Sequence, residues 1–489
     1  MPLQLPSTAI AARLERAFYT TLAIAIIAIG WVPHLFWGLW LDETGTYWQA
    51  KRGVWAALHH SYSPGQSILY GAIAATFYRP DGHFEFWLRI PSVIGMLIAA
   101  YFIFRLAQNW FGTGAAYLAL VAMLGDRQLI SHATEARPYA LALAACAGLM
   151  YGLDRWLADR RRSHWLLFTI CAILLLYLHY VMSVFYLVPA TFVLLRFLKG
   201  DRIPWSGIAM TCVLVMLSVL PLTGELAQLF HQGHTLSYTD PPDAKAFIEL
   251  VLPFQTAFCG FVAACVAGLF GESLGSRGRV NFATLTMWSL GVPTVIAAIA
   301  IWRHYGIFLE RHMAYTGLGL ALMIGYFFGS MSSSLARACV ALVFCGLGLA
   351  YDTRDLTAVG PLEWRAPLHH LQTIDPAGTA AVFMQSGFVE SNAVDWQHAM
   401  NADSYLYAAL IAYPIRESAI PLPMESSDDA RSYCLAQLNG PLQNAKKIVI
   451  IANYTSNLTH WLADQLRQRG YHQHSESPNA LPVLVFTHE

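Results

Sequence analysis

"LWLDETGTYWQA", Leu39 to Ala50, places two adjacent carboxylates, Asp42 and Glu43, directly after a long apolar run. That run is about 20 residues long, enough to cross the hydrocarbon core of a bilayer as a helix. An ionised Asp costs about 2.5 to 3.5 kcal/mol at the centre of a membrane helix and less at its boundary. An acidic pair at a helix exit therefore invites a functional reading beside the plain one of a solvated helix end. Consecutive residues of a helix do not face each other, so one carboxylate can enter a cavity while its neighbour meets another group.

Composition sets the class around this stretch. The 489 residues are 56% hydrophobic and 12% charged, against about 25% charged in an average soluble domain, so the chain reads as an integral membrane protein. Thirty basic and thirty acidic residues balance, which removes the electrostatic argument for a nucleic-acid partner. Of eight cysteines only Cys434 lies in the polar C-terminal portion, so neither a disulfide framework nor a cysteine zinc site is expected. The N-terminus carries basic residues before its apolar run, as a signal peptide does. The run is long enough to span, however, and ends without a small-residue cleavage site, so it reads as a retained first transmembrane helix.

Apolar segments recur at about 18–40, 86–108, 113–128, 138–157, 165–179, 181–198, 206–224, 250–270, 282–302, 312–329 and 335–351, which predicts about eleven transmembrane helices. "SPGQSILYGAIAATFY", Ser63 to Tyr78, has an apolar part too short to span and reads as a re-entrant or interfacial helix in the first external loop. The basic clusters "DRWLADRRRS" and "LKGDR" fall on the same side as the N-terminus. The positive-inside rule makes that side cytoplasmic and puts the "LDETG" loop and the C-terminus on the other. From residue 352 hydropathy falls. "AAVFMQSGF", "KKIVIIANY" and "LPVLVFTHE" read as strands and "NLTHWLADQLRQRG" as an amphipathic helix. The expected division is a transmembrane domain over 1–351 and a small soluble α/β domain over 352–489 on the outer side.

Three more polar clusters fall on the outer side. "SHATEARPYALALAA" puts Glu135 and Arg137 before Pro138, with Tyr139 opening the apolar run. Arg137 sits at an outer boundary against the charge trend, and Arg suits bidentate phosphate binding, although lipid snorkelling or pairing with Glu135 are the plainer readings. "LLLYLHYVMS" carries His179 and Tyr180 in an outer turn, and "IFLERHMAYTGLGLALMIGY" brings Glu310, Arg311 and His312 to the outer face. Both are also compatible with interfacial anchors. The chain has no HExxH, no paired CxxC and no Walker A loop, so no cofactor is expected; a divalent metal is conceivable but has no motif.

A carboxylate and two arginines beside lipid suit group transfer from a membrane-embedded phosphate carrier. The carboxylate would take a proton from an acceptor hydroxyl and the cations would hold the departing phosphate. Such a leaving group requires no general acid, unlike glycoside hydrolysis with its two carboxylates.

The ordered set "LDETGTYW", "YSPGQSILY" before "FWLRIPSVIG", "TEARPYALALA", "LHYVMSVFYLVPA" and "ERHMAYTGLGLALMIGY" resembles the multispanning GT-C glycosyltransferases, specifically glycosyltransferase family 39, the protein mannosyltransferase and aminoarabinose-transferase branch. The resemblance covers about the first 350 residues. It implies a GT-C fold and a polyprenyl-phosphate-linked sugar as donor, with transfer to a hydroxyl on the periplasmic side of a cell inner membrane. It also implies catalytic Asp42 with Glu43 beside it, Glu135 and Arg137 near the donor phosphate, and Tyr139, His179, Tyr180 and Arg311 as further substrate-binding candidates. Tyr62 is a further substrate-binding candidate, although the family's Pro-Pro-Leu-Tyr-like stretch is "SPGQSILY" here, a departure that bears on acceptor geometry near Tyr62 to Gln66. Two rivals are a secondary transporter or flippase, which predicts inverted repeats, and a metal-dependent oligosaccharyltransferase-like enzyme with Asp42 or Glu43 as ligand. The acceptor, whether glycan, lipid or protein, is left open.

Overall fold

The computed structural model describes residues 8–59, 66–232, 241–270, 278–304, 306–358, 363–392, 395–400, 403–452, 456–475 and 481–488. Helices occupy all eleven apolar segments. Among the described residues five stretches, Ala12–Phe36, Phe84–Phe111, Val181–Leu198, Trp205–Gln228 and Arg279–Arg303, are long and apolar enough to cross a membrane. The pair Ala244–Val251 and Phe254–Leu269, bent by 53°, adds a sixth if taken as one span. Other apolar helices are shorter, among them Thr113–Leu124, Arg162–Leu178 and Tyr315–Phe328. The expected count of eleven spans thus corresponds to eleven helical places, of which five or six meet the requirement by length and composition.

Small residues bring these helices together, which apolar side chains in lipid cannot achieve by the hydrophobic effect alone. A Cβ at Gly95 of Phe84–Phe111 would lie 2.9 Å from the backbone nitrogen of Leu141, so helix Tyr139–Asp159 docks directly on that glycine. Its other side uses Gly152, where a Cβ would lie 2.8 Å from the backbone nitrogen of Phe168 in Arg162–Leu178. The start of Tyr139–Asp159, just after Arg137, is thereby held on Phe84–Phe111, and its far half on Arg162–Leu178.

The segment after Ser63 forms the short helix Ile68–Phe77, capped by Ser67 Oγ accepting from the Tyr70 N–H at 3.0 Å. It packs on helix Leu41–Lys51, which carries Asp42 and Glu43: a Cβ on Gly71 would collide with the Gln49 amide.

The C-terminal portion builds a five-stranded sheet in the order β2-β1-β3-β5-β4, with β1 Ala381–Gln385, β2 Ser418–Leu422, β3 Lys447–Ile451, β4 His472–Ser475 and β5 Val483–Thr487. β1 runs parallel to β2 and β3, while β5 is antiparallel to β3 and β4. The three expected strands and the expected helix, Asn457–Gln468, are present, and β2, β4 and helix Asp428–Asn439 complete the unit. Alternation decides which face each strand residue covers. Phe383, Ile448, Ile450 and Phe486 pack under Asp428–Asn439 and Asn457–Gln468. Val382, Met384, Val449 and Val485 join the same apolar core as the membrane helices.

The C-terminal portion also clamps the first loop. Tyr413 Oη accepts from the Leu39 N–H at 2.8 Å and donates to Glu85 at 3.1 Å. Trp48 Nε1 donates to the Asp403 carbonyl at 2.7 Å, and Arg52 reaches the Asp403 carboxylate at 3.0 Å. The "LDETG" stretch and the C-terminal portion therefore share one end of the molecule, as expected.

Candidate active site

Asp42 and Glu43 occupy the first turn of Leu41–Lys51, where the helix dipole favours negative charge. Their side chains diverge. Glu43 is fully buried, and Arg89 grips it with Nε at 2.8 Å from Oε1 and Nη2 at 2.5 Å from Oε2. Oε1 also accepts the Ala136 N–H at 2.6 Å, and Oε2 the Trp40 N–H at 3.2 Å. Arg89 further donates to the carbonyls of His34, Trp37 and Gly38 at 2.7, 2.7 and 3.0 Å. Both oxygens of Glu43 are committed to holding the first loop, the "EARPY" segment and helix Phe84–Phe111 in register.

Asp42 faces a different set. Its Oδ2 lies 3.0 Å from Arg311 Nη1 and 3.6 Å from Arg137 Nη2. Arg137 Nη1 also lies 3.5 Å from the Asp42 carbonyl. The carboxylate is partly accessible, while Arg137 is buried. Three sequence-distant candidates, Asp42, Arg137 and Arg311, thus meet at one point. Pro138 precedes helix Tyr139–Asp159 as its N-cap, so Arg137 projects from the loop just before it.

Aromatic and imidazole rings continue from this point. Tyr139 lies with its ring centroid 4.8 Å from His132 and 5.2 Å from His179, and His179 lies 5.2 Å from His312. The Arg137 guanidinium stands 5.9 Å from the Tyr139 ring. His179 and His312 sit in turns at helix ends, outside the membrane-spanning segments. Burial holds His179 well below the ordinary imidazole range, helped by His312 and the two arginines. Burial likewise lowers His312 to about 4, partly opposed by its bond to Ile307. Both rings are neutral at pH 7. His312 Nδ1–H donates to the Ile307 carbonyl at 3.1 Å, which leaves Nε2 as an acceptor; His179 Nδ1 accepts from the Met182 N–H at 3.4 Å, which leaves Nε2–H as a donor.

The Glu135 carboxylate accepts from His132 Nδ1 at 3.1 Å. Tyr180 Oη donates to Glu225 at 2.8 Å. Tyr62 lies outside the described residues. Sequence reasoning did not connect Arg89 to Glu43, nor place His132 and His312 at the site. Arg89 interrupts an otherwise apolar stretch, "FEFWLRIPSV", and that was the available signal. Among the described residues, no group of three or more His, Cys, Asp or Glu side chains is placed to hold a metal ion.

The architecture is that of a polytopic helical membrane protein with a small sheet domain at one end, and the comparisons bear on its fold. The fold is similar to that of ArnT from Cupriavidus metallidurans in the apo state, with a TM-score of 0.57 at 12% identity over 96% of this chain and 97% of that one. ArnT from the same organism bound to undecaprenyl phosphate gives 0.55 at 12% identity, over 96% and 98%. Residues 65–222, about a third of the chain, match the family model described as dolichyl-phosphate-mannose-protein mannosyltransferase. That segment includes Arg89, Glu135, Arg137 and His179 and leaves Asp42 and Arg311 outside. No curated protein sequence matches the chain.

Proposed function

We propose that the protein transfers a sugar from a polyprenyl-phosphate-linked donor to an acceptor hydroxyl, at the end of the molecule that carries Asp42. The observation that carries this reading is the meeting of one partly accessible carboxylate with two arginines, 3.0 and 3.6 Å away, at the mouth of a helical bundle. The acceptor oxygen forms a bond to the anomeric carbon while the bond from that carbon to the phosphate oxygen breaks. The hydroxyl proton passes to Asp42, and the polyprenyl phosphate departs with the bonding electrons. Arg137 and Arg311 hold the phosphate as its charge develops. The ArnT structure bound to undecaprenyl phosphate supports a carrier of this chemistry. Positive-inside asymmetry supports a periplasmic site in an inner membrane.

In this scheme Glu43 positions rather than reacts, because Arg89, Ala136 and Trp40 already occupy both its oxygens. The same occupancy argues against Glu43 as a metal ligand. His179 contributes an Nε2–H donor and His312 an Nε2 acceptor beside the arginines, groups suited to sugar hydroxyls.

The test incubates purified protein with polyprenyl-phosphate sugars and an extract of membrane acceptors, and measures free polyprenyl phosphate by mass spectrometry. Enzyme-dependent release supports the reading. Consumption of nucleotide sugars with no release from any lipid-phosphate donor contradicts it.

A further inference from the structure

The end of the bundle opposite Asp42 carries a second arginine cluster that the transfer reaction does not use. Helix Tyr139–Asp159 has 21 residues, so at 1.5 Å per residue it carries the chain about 30 Å from Arg137, roughly one hydrocarbon thickness. There, at the turns linking this helix to Arg162–Leu178 and helix Leu187–Leu198 to Trp205–Val219, a cavity of about 170 Å³ opens. Its lining is Leu157, Arg160, Arg196, Asp201, Arg202 and Ile203. Three arginines and one aspartate line it, with Asp201 paired to Arg196. A water molecule's share of liquid is about 30 Å³, so a phosphate-sized group has room.

The cavity is held by specific backbone geometry. Arg160 ends its helix in the left-handed region at φ 58°, uncommon for a residue with a side chain, and donates to the Arg202 carbonyl. Gly200, at φ 93°, closes the next turn so that Asp201 folds back onto Arg196, with its N–H on the Arg196 carbonyl at 3.0 Å. Residues 154–162 and 196–202 together hold seven basic and three acidic side chains. Phe197, Leu198 and Trp205 are at least half exposed beside the cavity, with the two rings 5.6 Å apart. Aromatic rings in such a position mark a membrane interface, and basic pockets between helix ends on the cytoplasmic side suit anionic headgroups.

We propose that this cavity binds a phosphate-bearing anion, supplied by an anionic phospholipid whose headgroup enters among Arg160, Arg196 and Arg202 and whose acyl chains lie along Phe197, Leu198 and Trp205. The phosphate chemistry is shared with free phosphate; the exposed apolar rim favours the lipid.

Native mass spectrometry of the full chain, released from phosphatidylcholine nanodiscs doped with phosphatidylglycerol, tests the assignment. One phosphatidylglycerol is retained by the wild type. R160Q/R202Q weakens its retention by about 30-fold, from roughly fivefold losses per arginine. R161Q/R162Q, which removes two exposed arginines outside the cavity, changes it by less than about threefold. Equal weakening in both double variants means diffuse surface charge and overturns the proposal. Millimolar inorganic phosphate that fully displaces the lipid, or retention that is unchanged in R160Q/R202Q, overturns it as well.

Discussion

Glu43 and Arg89, 46 positions apart, form a bidentate pair with contacts of 2.8 and 2.5 Å and almost no solvent exposure. The adjacent Asp42 instead meets Arg311 and Arg137. One acidic dipeptide is thereby split into a buried brace and an accessible carboxylate, and the two have separable consequences.

Breaking the brace acts on folding. Removing one partner of a buried pair leaves an uncompensated charge and typically costs about 3 to 5 kcal/mol, whereas replacing both with apolar residues costs much less. R89M is expected to lower the thermal midpoint in detergent sharply, and E43L/R89M to recover part of the loss. An unchanged midpoint in R89M contradicts the assignment.

Removing one phosphate-binding cation acts on the donor. A hydrogen bond to a charged group is worth about 1.5 to 3 kcal/mol, so R311Q should reduce kcat/KM for the lipid donor by about 10- to 100-fold. R137Q falls in the same range, and the double variant falls short of the product because both arginines share Asp42. Steady-state kinetics with varied donor checks both statements.

His312 makes stability depend on pH. Its folded-state value, about 4, lies below the ordinary 6.5, so between these values the unfolded chain binds more protons. Its contribution is fully present above about pH 6.5 and falls toward pH 4, by at most about 1.4 kcal/mol per pH unit. His179 is shifted in the same direction. Thermal midpoints should decline on acidification through this window, with a shallower slope in H312F.

Tyr413 ties the C-terminal portion to the first loop. In Y413F the buried Leu39 N–H loses its acceptor and Glu85 loses a donor, at a cost of about 1 to 3 kcal/mol. Proteolysis between the membrane helices and the sheet should accelerate if this contact secures the clamp.

Much of this architecture was legible from local pattern. Uninterrupted apolar runs marked each helical place, and short apolar runs rich in β-branched residues in the polar C-terminal portion marked β1, β3 and β5. The convergence of Asp42 with Arg137 and Arg311 was readable as sidedness, since odd and even connections of a membrane bundle lie at opposite ends. What sequence could not supply was pairing at long range. Spacing alone could not choose between Asp42 and Glu43 because Glu43's partner lies inside another helix, and Glu135 looked like a partner for Arg137 because only two positions separate them. In the fold, the bend that follows helix Arg127–Ala133 also brings the Glu135 carboxylate back onto His132. β2 and β4 were missed because "SAIPL" contains a proline and "HQHS" is polar, features that suit their edge positions.

The most direct test of Asp42 as the base is D42N, assayed for both transfer and binding. The amide keeps the shape but cannot take up the acceptor proton, a contribution of typically 10²- to 10⁴-fold. The account predicts that sugar transfer from a polyprenyl-phosphate donor falls by about that factor, while polyprenyl phosphate still binds and the thermal midpoint stays near wild type. Transfer at the wild-type rate in D42N would contradict it.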